Sequence, residues 1–203
     1  MTILIISGVT CAGKSHLADR LIAAGIAKVV TTTTRQPRAG EINGIHYNFV
    51  TEDEFSRIEA AGGFAETNRF SGSNYGVAIK DIPSTGNASV IVDPNGHRNI
   101  KRFLKGRGIP YLSVFMDADE GNQALRFMMR ARQELEAARA AGKLASTTIK
   151  GNAKRMTQML TTEAHWRDVA RCKEAPYDLI VQDYSPVSQS TILEEIQSRM
   201  SQA

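Results

Sequence analysis

Hydrophobic positions along this chain gather into short unbroken runs separated by stretches of helical period. The runs Thr2–Ser7, Ala27–Thr33, Ala88–Asp93, Pro110–Met116 and Asp178–Gln182 show little polar alternation, as expected of strands covered on both faces. Helical patterns flank most of them, which predicts an α/β fold with a parallel sheet and helical crossovers. Two regions interrupt the alternation. In the first, between Thr34 and Ile82, Asn43-Gly44 stands between extended runs and predicts a hairpin. Thr51, with Glu54 three residues on, predicts a capped short helix that Gly62-Gly63 would end. Phe64, Glu66, Asn68 and Phe70 then alternate with other residues like a strand. Together these predict a small mixed subdomain, residues 31–82, inserted into the main sheet. The second interruption is a helical stretch from Asp119 to Arg171, with breaks expected at Gly142 and Gly151. Its Ala- and Arg-rich middle carries a weak apolar stripe, which predicts poor burial and mobility. Ser188–Met200 reads as a closing amphipathic helix.

Length and composition narrow the picture. At 203 residues the chain suits one α/β domain spanning residues 1–203. A net charge of +4, scattered rather than gathered into a tail or patch, suits small anionic ligands and argues against nucleic acid. The cysteines, Cys11 and Cys172, make neither a disulfide framework nor a metal cluster. With no leader-like start and no run long enough to span a bilayer, the expectation is a cytoplasmic protein without a membrane partner. Nothing in the pattern sets an oligomeric state.

The first strand runs into Gly8-Val9-Thr10-Cys11-Ala12-Gly13-Lys14-Ser15, a G-x-x-x-x-G-K-S motif followed by a helical pattern. Backbone N–H groups of such a loop turn inward onto phosphate oxygens, and the helix N-terminus adds partial positive charge. Lys14 would reach the outer phosphates and Ser15 would hold Mg²⁺. The expected fold is therefore a P-loop NTPase-type parallel sheet flanked by helices. A phosphate loop alone says only that a nucleoside triphosphate binds. Cys11, at a helix N-terminus beside Lys14, is expected to be a reactive thiol.

The next cluster, "TTTTRQPRAGEINGIHYNFVTEDEF" over residues 31–55, resembles the nucleotide-binding subdomain of the guanylate kinase family. The resemblance continues in "GGFAETNRFSGSNYG", "VIVDPNG", "LRFMMRARQ", "AKRM" and "YDLIVQD", touching nearly the whole chain in order. It implies that ATP is the phosphoryl donor, with Mg²⁺, and that a nucleoside monophosphate is the acceptor. It implies that Arg35, Arg38, Tyr47 and Tyr75 clamp the acceptor phosphate, with Gly76 beside them. It implies that Thr31 and Glu66 read the base and that Asp93 lies near magnesium and acceptor. A helical lid over residues 126–155 would bring Arg126, Arg130 and Arg132 over the triphosphate, with Arg155 returning from its far side. Read from spacing alone, Arg126 and Arg130 merely share a helix face, where solvent or Glu134 would pair with them.

The chemistry is consistent with that resemblance. A nucleoside monophosphate is already an anionic nucleophile, so the transfer needs alignment and charge neutralisation more than a base. Arginine forks supply both. The chain departs from the family pattern at Val77, where a hydroxyl residue is usual, at Ile91, where a second acid is usual, and at Cys11, where glycine is common. Its lid is longer by roughly a dozen residues, a size that loop insertions tolerate. GMP and dGMP are the leading acceptors; Val77, which removes a hydroxyl beside the base, opens a deoxypyrimidine or broad deoxynucleotide range as the alternative, and a non-catalytic binding module is a third reading.

Overall fold

The computed structural model describes residues 1–38, 40–142, 145–171, 177–182 and 184–202; Cys172 lies outside them. In chain order the elements are β1 (Ile3–Gly8), α1 (Lys14–Ala23), β2 (Ala27–Lys28), β3 (Thr32–Thr33), β4 (Asn48–Phe49) and α2 (Glu52–Ala60). Then follow β5 (Phe64–Phe70), β6 (Ser73–Ala78), β7 (Ala88–Ile91), α3 (Pro94–Gly106) and β8 (Tyr111–Met116). The rest comprises α4 (Glu120–Ala140), α5 (Ala145–Leu160), α6 (Thr162–Arg171), β9 (Leu179–Val181) and α7 (Gln189–Gln202).

The main sheet is parallel, in the order β2-β7-β1-β8-β9. Strand β1 sits at its centre and is buried along its length. Its alternating side chains feed two cores. Leu4 and Ile6 pack with Leu17 and Leu21 of α1, Phe115 and Ile196. Ile3 and Ile5 pack with Val90 and with Ile100 and Leu104 of α3. This is the period-two geometry of a strand covered by helices on both faces. The closing helix appears as expected, burying Ile196 and Met200.

Glycine is required where β1 ends. Gly8 has φ 139°, and a Cβ there would lie 2.0 Å from the Met116 carbonyl oxygen. The chain can therefore turn into the phosphate loop hard against β8. Asp93 ends the β7 crossover by capping α3, its Oδ1 accepting from the N–H groups of Asn95 (2.9 Å) and Gly96 (2.8 Å). Pro94 follows in the first helical turn, where a missing N–H costs nothing.

Three sequence expectations are corrected. The run Ala27–Thr33 is divided between sheets: β2 joins the main sheet, whereas β3 joins a second sheet in the order β4-β3-β6-β5. Strand propensity specifies extended backbone but not a pairing partner. The Asn43-Gly44 segment does turn, with Gly44 at φ 77°, but it makes no hairpin, because β3 and β4 run parallel. The Asn43 side-chain oxygen instead accepts the Phe49 N–H at 2.8 Å. Gly151 lies inside α5 and breaks nothing; its cost in a helix, about 1 kcal/mol, is small enough for neighbouring turns to carry. The helical stretch breaks at Gly142, as expected, and again at Thr161. The capped helix α2 is present, with the Thr51 hydroxyl accepting from the Glu54 N–H at 3.2 Å. Among the described residues no helix is long and apolar enough to cross a membrane.

Candidate active site

A cleft of about 430 Å³ opens at the carboxyl end of β1 and extends to the second sheet. Crevices at strand C-termini are the usual ligand sites of open parallel sheets. Gly8, Thr10, Cys11, Gly13, Lys14 and Ser15 form its floor. Ala12 does not reach the wall; it is buried beneath the loop, its N–H directed at the Val9 carbonyl. Lys14 folds back on the loop, its ammonium donating to the carbonyls of Gly8 (2.9 Å) and Val9 (2.6 Å). Burial pushes the Lys14 ammonium below its ordinary range, against the charge of Glu163.

The far wall comes from the second sheet and the loop before it. Arg35 makes a two-pronged ion pair with Glu41, both contacts at 2.9 Å, and lies over the Tyr47 ring. The Arg38 N–H also donates to Glu41, at 2.7 Å, while its guanidinium turns toward Glu134, 3.7 Å away. Tyr47 and Tyr75 meet edge to face with centroids 6.1 Å apart. Burial pushes the Tyr47 phenol up, so it remains a neutral donor.

Between floor and far wall lies a carboxylate pair. Glu66 is 6% exposed, and burial, with the nearby charge of Asp93, pushes it up to about 8. Burial also pushes Asp93 up, against the two backbone N–H groups it caps. Its Oδ2 accepts from the Asn68 amide. Thr31, Gly76 and Ile91 complete this part of the wall. Val77 does not: it is 1% exposed and packs into the apolar core with Ile3 and Val90.

The fourth side is α4 and α5. Arg126 donates to the Cys11 carbonyl at 3.3 Å. Glu134 gathers the others: Arg155 bonds it directly, while Arg130 and Arg38 lie 3.8 and 3.7 Å away. Burial pushes the Glu134 carboxyl up, but the Arg155 hydrogen bond and the surrounding guanidinium charges outweigh it and hold the group low. Arg132 is not part of this set. Its side chain is 80% exposed and pairs with Glu136 at 2.8 Å. On a helix, a residue two positions from Arg130 points well away from it.

The family model described as guanylate kinase matches residues 1–200. The chain belongs to the guanylate kinase family. Human guanylate kinase is 44% identical over 105 residues, covering 48% of this chain and 53% of that protein. The chain thus spans about half the length of the human relative. The guanylate kinase of Neisseria gonorrhoeae is 40% identical over 151 residues, covering 66% of this chain and 74% of its own. A crystal structure of guanylate kinase from Anaplasma phagocytophilum shares the fold, with TM-score 0.59, 21% identity, and coverage of 98% of this chain and 86% of that one.

The guanylate kinase resemblance singled out Glu66, Asp93 and the cleft arginines, but some neighbours escaped it. Glu41 lies inside the matched block and was legible only as part of it. Asn68 carried no signal beyond strand alternation. Glu163 and Gln123 carried none, since their partner Thr10 is 153 and 113 residues away. Cys11 is corrected as well. It lines the cleft in a left-handed conformation (φ 61°), but burial pushes its thiol up by more than Arg130 and Lys14 pull it down.

Proposed function

We propose that this chain transfers the γ-phosphoryl group of ATP to GMP, giving ADP and GDP. The observation that carries the reading is one continuous cleft joining a phosphate loop to an arginine- and tyrosine-lined wall, with a buried carboxylate between them. A phosphate oxygen of GMP attacks the γ-phosphorus as the bond to the β-phosphate bridging oxygen breaks, and ADP leaves with that oxygen. The acceptor is already anionic, so no group need take its proton. In this reading Arg35 and Arg38 exchange their carboxylate partners for the GMP phosphate, with Tyr47 and Tyr75 donating alongside. Lys14 leaves the loop carbonyls for the β- and γ-phosphates. Arg126, Arg130 and Arg155 neutralise charge on the transferring group, and residues 126–155 act as the lid that keeps water out. Residues 31–82 act as the acceptor-binding subdomain.

Mg²⁺ belongs to the same proposal. Ser15 and Asp93 both line the cleft, and hard oxygen donors of the kind they carry suit the ion. Among the described residues no group of three or more His, Cys, Asp or Glu is arranged to hold a metal without substrate. Mg²⁺ is usually carried in on substrate phosphates. When bound it neutralises phosphate charge. A cytoplasmic setting also belongs to the reading, as the compartment that holds ATP and nucleoside monophosphates.

Guanine suits the wall because its N1–H and 2-amino group donate toward Glu66, whereas adenine would turn the acceptor N1 toward a carboxylate. The relatives favour neither the deoxypyrimidine nor the binding-module alternative. A coupled ADP-release assay across GMP, dGMP, dUMP, dTMP and AMP tests the proposal. GMP should be turned over best and AMP hardly at all. Lys14→Ala should lower kcat roughly 10²–10³-fold with native circular dichroism. Absence of ADP release with GMP, or efficient use of AMP, would overturn the reading.

A further inference from the structure

Glu163 is a buried carboxylate, 1% exposed, that phosphoryl transfer itself does not call on. It lies in the first turn of α6, just after the lid. Its Oε2 accepts from the backbone N–H of Thr10 at 3.0 Å and from the Gln123 amide at 2.6 Å; its Oε1 accepts the Thr10 hydroxyl. Gln123, in the first turn of α4, stands just ahead of the lid. The same amide donates to the Thr10 carbonyl at 3.0 Å. The N–H, hydroxyl and carbonyl of one phosphate-loop residue are therefore all held by the helices from which the lid springs. Arg167 braces the far side, bonding Asp117 at 2.8 Å, the Ala118 carbonyl at 3.3 Å and the Gln123 side-chain oxygen.

A buried polar network whose members satisfy one another is stiff, because any displacement leaves a donor or acceptor unpaired in a low-dielectric interior. A shift of Thr10 must therefore be followed by the starts of both α4 and α6, or it breaks its hydrogen bonds to the buried Glu163 and Gln123 side chains. Of the charges around Lys14, Glu163 does most to favour the ammonium, so the floor and the brace share electrostatics as well as hydrogen bonds.

We infer that Glu163 is a positioning residue that, with Gln123, couples the phosphate loop to both roots of the lid. Triphosphate binding at the loop is then transmitted to α4 and α5, and lid closure in turn sets the loop for phosphate. Such coupling is reciprocal. The inference rests on the reading above that the loop binds ATP.

The test is hydrogen exchange on the full chain, with and without a non-hydrolysable ATP analogue plus GMP, alongside steady-state ADP release. Wild type should show slowed exchange across residues 146–160 when both ligands are present. Glu163→Gln keeps the shape but removes the charge that strengthens the bonds to Thr10 and Gln123, and leaves one accepting oxygen where there were two. It should lose most of that protection and lower kcat roughly ten- to a hundredfold, with KM for GMP little changed. A merely structural residue would lower the melting temperature without uncoupling the lid from ligand. Where Glu163→Gln fails to fold, Thr10→Val and Thr10→Ser decide, since only the second keeps the hydroxyl. Serine should preserve the ligand-induced protection and valine should diminish it. Full protection in Glu163→Gln, or equal protection in the Thr10 pair, overturns the coupling. A wild type that releases ADP without any lid response also overturns it, whereas a wild type with no ADP release overturns the reading beneath it.

Discussion

At the scale of single residues, the cleft is governed by the cost of burying charge. Glu66 makes this measurable. Its proton is held to about pH 8 in the folded protein, because burial and Asp93 disfavour the carboxylate. The folded state thus binds more protons than the unfolded state between the ordinary glutamate value and about 8. Its contribution to stability is full below that window and is lost as pH rises through it. On the proposed reading guanine donates N–H groups to Glu66 and favours the ionised form, so binding GMP would expel the proton. KM for GMP should fall as pH rises toward about 8 and then level off, and Glu66→Gln should flatten the profile. A wild-type profile equally flat from pH 6.5 to 9 would contradict this assignment. Cys11 shows the same cost with the opposite sign of usefulness. Its loop position and basic neighbours favour thiolate, but burial wins and raises the thiol. Alkylation by iodoacetamide at pH 7 should be slower than for a free thiol, and ATP should slow it further. Rapid labelling at pH 7, indifferent to ATP, would contradict both the burial and the loop assignment.

At the scale of elements, α4 and α5 carry a charge cluster over the cleft. Much of α5 faces solvent, and among its described side chains only Met159 is buried. What joins the pair is Glu134, which Arg155 binds from α5 while Arg38 approaches from the opposite wall. On the proposed reading this carboxylate occupies arginines that substrate phosphates would use. Glu134→Gln should therefore tighten phosphate binding, lowering KM for GMP or ATP severalfold. It should also destabilise the free protein by about 1 kcal/mol, the pair being partly exposed. The stability that Glu134 contributes is present above the ordinary glutamate range and is lost as pH falls through its lowered value, so wild type and variant should converge in acid. Kinetics and melting curves across pH check both signs. A rise in both KM values would instead mean that Glu134 orders the arginines for substrate.

At the scale of the whole molecule, the two sheets with α4 and α5 bound one cleft, so ligands at either end should stabilise the common fold. A ligand present at a hundred times its dissociation constant adds about 2.7 kcal/mol. For a chain of this size that is roughly 5–10 °C in melting temperature. A non-hydrolysable ATP analogue and GMP together should exceed the sum of their separate shifts if closure joins the sites, because each then binds a cleft already ordered by the other. Strict additivity in a thermal-shift titration would instead describe two independent half-sites.

Local rules were enough, from the sequence alone, for the buried strands around β1, the phosphate loop, the Thr51 cap and the closing helix. Each depends on neighbours within a few residues: an unbroken apolar run, a glycine spacing, a hydroxyl before a helix. The matched block at residues 31–55 brought Arg35, Arg38 and Tyr47 forward as one set before any geometry was available. Tertiary structure decided what depends on distant partners. It divided Ala27–Thr33 between two sheets and ran β4 parallel to β3, because pairing is chosen by competition among strands far apart in sequence. It turned Arg132 to solvent and Val77 into the core, since a helix turn or a strand face is assigned only when neighbouring elements dock. It gave Glu134 its arginines and Glu163 its threonine. Those charges bear on the cleft because burial removes water's screening, and burial is a property of the folded chain that no short segment carries.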